Sequence, residues 1–218
     1  NERVIDTLFM TVLFLNRMGQ KYNRQDWISE SIHQVLLHIK YLYDKKTGLF
    51  YHGWTFNTRD NFGGVFWCRG NSWFTVGILE YLEMFKGSLD AGVREFIVNT
   101  YKSQVHTLKK LQSSSGLWHT VLDDPTSYEE VSGSAAITAG ILKGIKLGIL
   151  DDSCLDCAWK GVRAVMNQID KDGTVLNVSG GTGMGADREH YKNILIAPMA
   201  YGQSLTILAL IQALDNLN

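Results

Sequence analysis

The sequence predicts an all-α fold built as a double ring of helical hairpins. Three observations carry the prediction. Helical periodicity runs through most of the 218 residues, and only two prolines, Pro125 and Pro198, interrupt it. Stretches that are apolar nearly all round alternate with stretches that are apolar along one stripe. A glycine-centred loop recurs after each amphipathic stretch. In a double ring the inner helices touch neighbours on every side, whereas the outer helices show one face to water. A simple up-and-down bundle would make all of its helices amphipathic.

Taken in order, residues 3–18 read as a helix buried on every side, with Leu8, Phe9, Met10, Leu13 and Phe14 around its circumference. Asp26 caps a second helix over 27–43, whose Ile28, Ile32, Val35, Ile39 and Leu42 share one stripe. Residues 74–85 return to the buried type and 90–112 to the amphipathic type. Residues 132–149 are small and apolar, which permits close helix contact. Residues 153–169 are amphipathic again, and 198–216 are apolar on most sides. Four helices thus read as inner and three as outer.

The stretch Gly48-Leu-Phe-Tyr-His-Gly-Trp54 through Trp67-Cys-Arg-Gly-Asn-Ser-Trp73 follows neither the two-residue nor the 3.6-residue period, so it reads as an ordered loop. Its aromatic content argues against disorder. Flat aromatic faces beside Arg, Asn and His are what a sugar site needs, since ring faces stack and hydroxyls and carboxylates are hydrogen-bonded. An aromatic mini-core under a long loop explains the same composition.

The loop-level repeat is Asp44-Lys-Lys-Thr-Gly48, Ser113-Ser-Ser-Gly116 and Asp170-Lys-Asp-Gly173, each followed by a short extended apolar piece. The glycines are 68 and 57 residues apart (116 − 48 and 173 − 116), so one helix pair with its loop takes about 60 residues. These loops should line one mouth of the ring together with Ser179-Gly-Gly-Thr-Gly-Met-Gly185. A closed ring of six pairs would need about 360 residues on this spacing, and the chain supplies about three and a half pairs. The expectation is one domain over 1–218, either an open ring or the later part of a longer barrel. The chain opens at Asn1 without a methionine, which fits a processed chain or a fragment.

The net charge of −1 gives no reason to expect nucleic acid or an anionic membrane surface as partner. No apolar run reaches the length of a spanning helix. Cys68, Cys154 and Cys157 make no disulfide framework, and Cys154-x-x-Cys157 lacks a second pair at zinc-like spacing, so structural thiols in a reducing cytoplasm are expected. No metal or cofactor is expected, and the oligomeric state is left open.

Candidate acids are Asp6, at the start of an otherwise apolar helix, and Asp60, in the aromatic loop. Helix-dipole stabilisation and turn formation are their ordinary explanations. A carboxylate at the mouth of the ring would serve as general acid or base. Ser127 and Glu130 suit a capping box before the small-residue helix. His33, His38 and His106 belong to amphipathic helices and read as structural, whereas His52, His119 and His190 fall in loops at the mouth. Arg69 could hold a sugar carboxylate bidentately, and Lys45 could reach the same anion. The glycine-rich 179–185 segment lacks the Gly-Lys-Ser/Thr ending and the βαβ context of a phosphate loop.

Val4-Ile-Asp-Thr-Leu-Phe-Met10, Gly48-Leu-Phe-Tyr-His-Gly-Trp54, Trp67-Cys-Arg-Gly-Asn-Ser-Trp73 and Glu130-Val-Ser-Gly-Ser-Ala135 resemble motifs of the unsaturated glucuronyl and rhamnogalacturonyl hydrolases, glycoside hydrolase families 88 and 105. The rhamnogalacturonyl type is the closer match. The resemblance implies an (α/α)6 barrel and a short oligosaccharide substrate with a 4,5-unsaturated uronic acid at its non-reducing end. It also implies hydration of the vinyl ether, in which an aspartic acid protonates C4 and water adds at C5. By motif Asp6 matches the first aspartate of the family, and Lys45, Arg69, Trp73 and His119 sit where the resemblance implies substrate contacts; His52, Trp54, Asn71 and His190 are further candidate substrate contacts from their places in the aromatic loop and at the mouth. One departure stands out. Many relatives carry an aspartate directly after the His-x-Trp motif, and Thr55 occupies that place here, so the acid is either Asp6 or Asp60, or the activity has changed. A carbohydrate-binding relic and a sugar enzyme acting on saturated glycans are the alternative readings.

Overall fold

The structure is a computed structural model that describes residues 2–217. Inner helices α1 (Leu13–Lys21), α3 (Cys68–Met84), α5 (Val131–Lys146) and α8 (Ala200–Asp215) stand side by side in that order. Outer helices α2 (Gln25–Leu42), α4 (Ala91–Leu111) and α6 (Leu155–Met166) each back onto the inner helix that precedes them. A short helix α7 (Arg188–Lys192) interrupts the last long connection. The four inner and three outer helices of the predicted double ring are all present.

Among the described residues six short strands stiffen the loops. β2 (Tyr43–Asp44) pairs with β3 (Leu49–Phe50), β1 (Glu2–Val4) with β4 (Gly53–Thr55), and β5 (Trp118–His119) with β6 (Glu129–Glu130). The stretch read as one loop therefore holds two strands and the opening of α3. Its missing periodicity reflects strands too short to show alternation. The repeated glycines behave alike. Gly48, Gly116 and Gly173 have φ of +79°, +101° and +82°, a conformation side chains disfavour. Each donates its N–H to the carbonyl that opens its turn, from Asp44, Ser113 and Asp170.

α3 and α5 are buried along nearly their whole length. The small residues of α5 allow this. A Cβ on Gly140 would stand 2.5 Å from the Thr75 carbonyl oxygen of α3, and one on Gly133 would stand 2.9 Å from Arg69 N. Backbone cannot swing aside as a side chain can, so Gly140→Val should cost about 2–3 kcal/mol or more. Thermal unfolding should show it as a fall of roughly 5–10 °C. Gly181→Ala, where nothing lies within 4 Å of the added carbon, should leave the midpoint unchanged.

Four helix-level expectations need correction. Residues 3–18 are not one helix buried all round. Strand β1 comes first, a π-helical turn over Leu8–Val12 follows, and α1 exposes Phe14 while Met10 is exposed before it. α8 likewise exposes Ile207, Ile211 and Leu214. Both helices stand at an end of the inner row, with an inner neighbour on one side only. Asp26 is not the cap of α2. It lies inside the first turn, paired to Arg24 at 2.6 Å, while Arg24 holds the cap position. Ser127 does not cap α5 either. Its hydroxyl donates to Asp124 O at 2.7 Å, and Glu130 itself caps the helix by accepting from Ser132 N and Gly133 N.

His38 on α2 is buried, as its place on an amphipathic helix suggested. Its Nδ1 donates to Gln34 O at 2.7 Å, and Nε2 lies 2.7 Å from Thr7 Oγ1 beside Asp6. Burial, aided by the nearby Arg3 charge, lowers its pKa from 6.5 to about 4 against the raising effect of its backbone bonds. The folded value lies below the unfolded one, so the stability contributed by neutral His38 is complete above about pH 6.5 and is lost as pH falls towards 4. The loss should reach roughly 3 kcal/mol over that window. Melting temperature measured against pH should show the slope in the wild type and a shallower one in His38→Gln.

Candidate active site

Backbone pairing brings the first acid to the first histidine. β1 and β4 align Val4 with Gly53, and Ile5 N–H donates to His52 O at 3.0 Å. The next residue, Asp6, enters the helical turn with its side chain about a quarter exposed. Its Oδ1 accepts from Trp73 Nε1 at 3.1 Å. Its Oδ2 lies 3.2 Å from His52 Nε2, close but without the alignment of an ideal hydrogen bond. Trp73 projects from the second turn of α3 and packs against Phe9 at 4.9 Å. Asp6, His52 and Trp73 thus meet at the mouth, from three separate segments.

His52 is itself held. Its ring packs on Trp67 at 4.4 Å, and Nδ1 lies 2.6 Å from the Tyr191 hydroxyl. Arg69 stacks between Trp67 at 4.4 Å and Tyr201 at 4.8 Å. The guanidinium is buried and donates to Ser179 O at 2.8 Å and Gly180 O at 2.7 Å, with Glu130 at 3.7 Å. Glu130 is fully buried and also accepts from Ser179 N at 3.0 Å. Together the pair clamps the glycine-rich segment to the starts of α3 and α5.

The remaining predicted contacts separate into two groups. Arg69, expected to hold a sugar carboxylate, here directs Nη1 and Nη2 to Ser179 and Gly180. Asn71 is fully buried and bonds Phe50 N and Phe50 O, each at 2.8 Å, fastening β3 to α3. Trp54 packs on Tyr41 of outer helix α2 at 5.3 Å. Lys45 is exposed on the β2–β3 turn, which lies against α4 through the Thr107 bond to Thr47 O. Asp60 is exposed and accepts from Phe62 N at 2.9 Å, an ordinary turn role. Thr55 is buried, and its hydroxyl accepts from Asn57 N. None of these six touches the Asp6 carboxylate.

The other two histidines are each tied to a neighbouring loop. His119 is half-buried and donates from Nδ1 to Ser127 O at 2.5 Å, which leaves Nε2 as an acceptor in the neutral ring. His190 is exposed, with Nε2 2.6 Å from Thr182 Oγ1. It lines a cavity of about 700 Å³ with Gly180, Gly181, Thr182, Leu195 and Met199. Asp6 is not among its lining residues; Tyr191, whose ring lies 5.2 Å from His190, links the two by bonding His52 beside Asp6. The sequence motifs did not point to Tyr191, Tyr201 or Glu130's grip on Ser179. Each depends on a contact across 20 or more residues that no local pattern encodes.

Residues 4–217 match the family model described as Glycosyl Hydrolase Family 88. The chain is 33% identical over 207 residues to the unsaturated rhamnogalacturonyl hydrolase YesR of Bacillus subtilis, covering 94% of this chain and 58% of that protein. It is 29% identical over 187 residues to an unsaturated 3S-rhamnoglycuronyl hydrolase of Formosa agariphila, covering 79% of this chain and 49% of that one. A solved structure from Salmonella enterica, described as a possible member of family GH105, superposes with a TM-score of 0.97 at 40% identity, over all of this chain and 57% of that one. The chain therefore spans about half the length of these relatives. With the double ring, the shared motifs and a family match over nearly every residue, the chain belongs to Glycosyl Hydrolase Family 88.

Proposed function

We propose that this chain, acting as a single domain, removes a 4,5-unsaturated uronic acid from the non-reducing end of short oligosaccharides left by a polysaccharide lyase. The meeting of Asp6, His52 and Trp73 at the mouth carries the reading, and family membership supports it. Asp6 gives its proton to C4, and positive charge develops at C5 beside the ring oxygen. Water adds at C5 and returns a proton to the Asp6 carboxylate. The hemiketal so formed opens by breaking its C5–O bond, and the hemiacetal at C1 releases the next sugar. No covalent glycosyl-enzyme forms, so a single carboxylate suffices. His52 and Trp73 orient that carboxylate. His119 Nε2 and the cavity beside His190 are the remaining polar groups available to sugar hydroxyls.

Among the described residues no helix is long and apolar enough to cross a membrane. The three cysteines are free and buried, which supports a reducing, cytoplasmic setting. The test is direct. Lyase products of several uronic-acid polysaccharides should lose the ultraviolet absorbance of their conjugated double bond when the chain is added. Unchanged absorbance with folded protein across that panel would overturn the reading. Calorimetric binding without turnover would then point to a carbohydrate-binding role.

A further inference from the structure

We infer that Tyr191 is a positioning residue for the acid, holding His52 in the tautomer whose Nε2–H faces Asp6. The inference rests on the reading of Asp6 as the proton donor, but its first test needs no substrate.

Tyr191 is buried in α7, 139 residues from His52 along the chain. Its hydroxyl has two close partners. Gly185 N–H donates to it at 2.9 Å, which occupies an acceptor position. His52 Nδ1 lies 2.6 Å away. An amide N–H cannot accept the phenol's single proton, so that proton goes to Nδ1. Burial pushes the phenol up to about 12, with the Asp6 charge adding to the rise and the Gly185 bond opposing it. Tyr191 therefore keeps its proton at neutral pH and remains a donor.

A neutral imidazole that accepts at Nδ1 carries its own proton on Nε2. That nitrogen lies 3.2 Å from Asp6 Oδ2. The carboxylate is then faced by an N–H on each oxygen, from Trp73 at Oδ1 and from His52 at Oδ2. Without the Tyr191 hydroxyl, selection against the other tautomer, which sets a nitrogen lone pair against the carboxylate, falls to the poorly aligned Asp6 contact alone. Trp67 packs on the ring at 4.4 Å and fixes its plane, but the stacking does not choose which nitrogen is protonated. The same phenol ties α7 and Gly185 to the site.

Nitrogen-15 NMR of the whole chain at neutral pH tests this, with His52→Gln used to assign the His52 ring signals. The wild type should show His52 protonated on Nε2 and bare on Nδ1. Tyr191→Phe, which keeps the buried ring, should shift the population towards Nδ1–H. With lyase products it should lower kcat about ten- to hundredfold and change KM by less than about threefold. In the His52→Gln background the same substitution should cost less, because an amide has no tautomer to select. An Nδ1–H or doubly protonated His52 in the wild type, or an unchanged pattern in Tyr191→Phe, would overturn the inference. If the Nε2–H pattern holds while no product forms, the positioning stands and the proposed reaction falls.

Discussion

Asp6→Asn should abolish turnover, by at least about 10²–10⁴-fold, while oligosaccharide affinity stays within a few-fold. The amide oxygen can still accept from Trp73 Nε1, so the shape of the site survives. What is lost is the proposed donor of the proton to C4. Asp60→Asn is the paired control. Asp60 is exposed and holds only the turn at Phe62 N, so its loss should leave rates near wild type. Initial rates from ultraviolet absorbance and affinities from calorimetry separate the two. Loss of activity in Asp60→Asn with activity kept in Asp6→Asn would reverse the assignment and make the aromatic loop the source of the acid.

The largest expected effect on stability is at Glu130. Its carboxylate accepts from Ser132 N, Ser132 Oγ, Gly133 N and Ser179 N, and it lies 3.7 Å from a guanidinium that is also buried. Glu130→Leu strips the cap from α5, leaves those donors unpaired and strands the Arg69 charge. Breaking a buried pair from one side costs about 3–5 kcal/mol. Scanning calorimetry should record a fall of roughly 10 °C or more. Arg69→Met on top of Glu130→Leu should recover part of the loss, because the stranded charge is gone. A double variant less stable than Glu130→Leu by the full cost of Arg69→Met would show that the two side chains act independently.

Much of the architecture could be read from residues with strong local signatures. Gly48, Gly116 and Gly173 announce their turns because positive φ is something few other residues tolerate. The alternation of buried and striped helices follows from how many neighbours each helix has, which leaves a direct imprint on composition. The N-cap rule holds at Asp90, which accepts from Val93 N at the start of α4. The rule failed for Asp26, where Arg24 offers a stronger partner than the open backbone N–H groups. It failed for Ser127, whose hydroxyl turns back into its own loop.

The site was less readable, for a physical reason. A motif shows which residues travel together, not which of them point outward. Arg69, Asn71 and Trp73 lie within five residues on the first turns of α3, where successive side chains are about 100° apart. That rotation sends Arg69 under the glycine-rich segment, Asn71 to β3 and Trp73 to Asp6. In the same way, the strand alternation at Gly53–Thr55 carries Trp54 to the outer layer, where it meets Tyr41. Tyr191 left no trace, since a lone tyrosine beside a histidine means nothing until the fold closes 139 residues of separation.

The pairing of β1 with β4 has a consequence for the geometry of the site. The separation of carboxylate and imidazole is set across a two-stranded ribbon by backbone hydrogen bonds, with Ile5 N–H on the His52 carbonyl as the last rung. The spacing of the two groups therefore rests on main chain, and side-chain substitutions elsewhere in the loops should leave it in place.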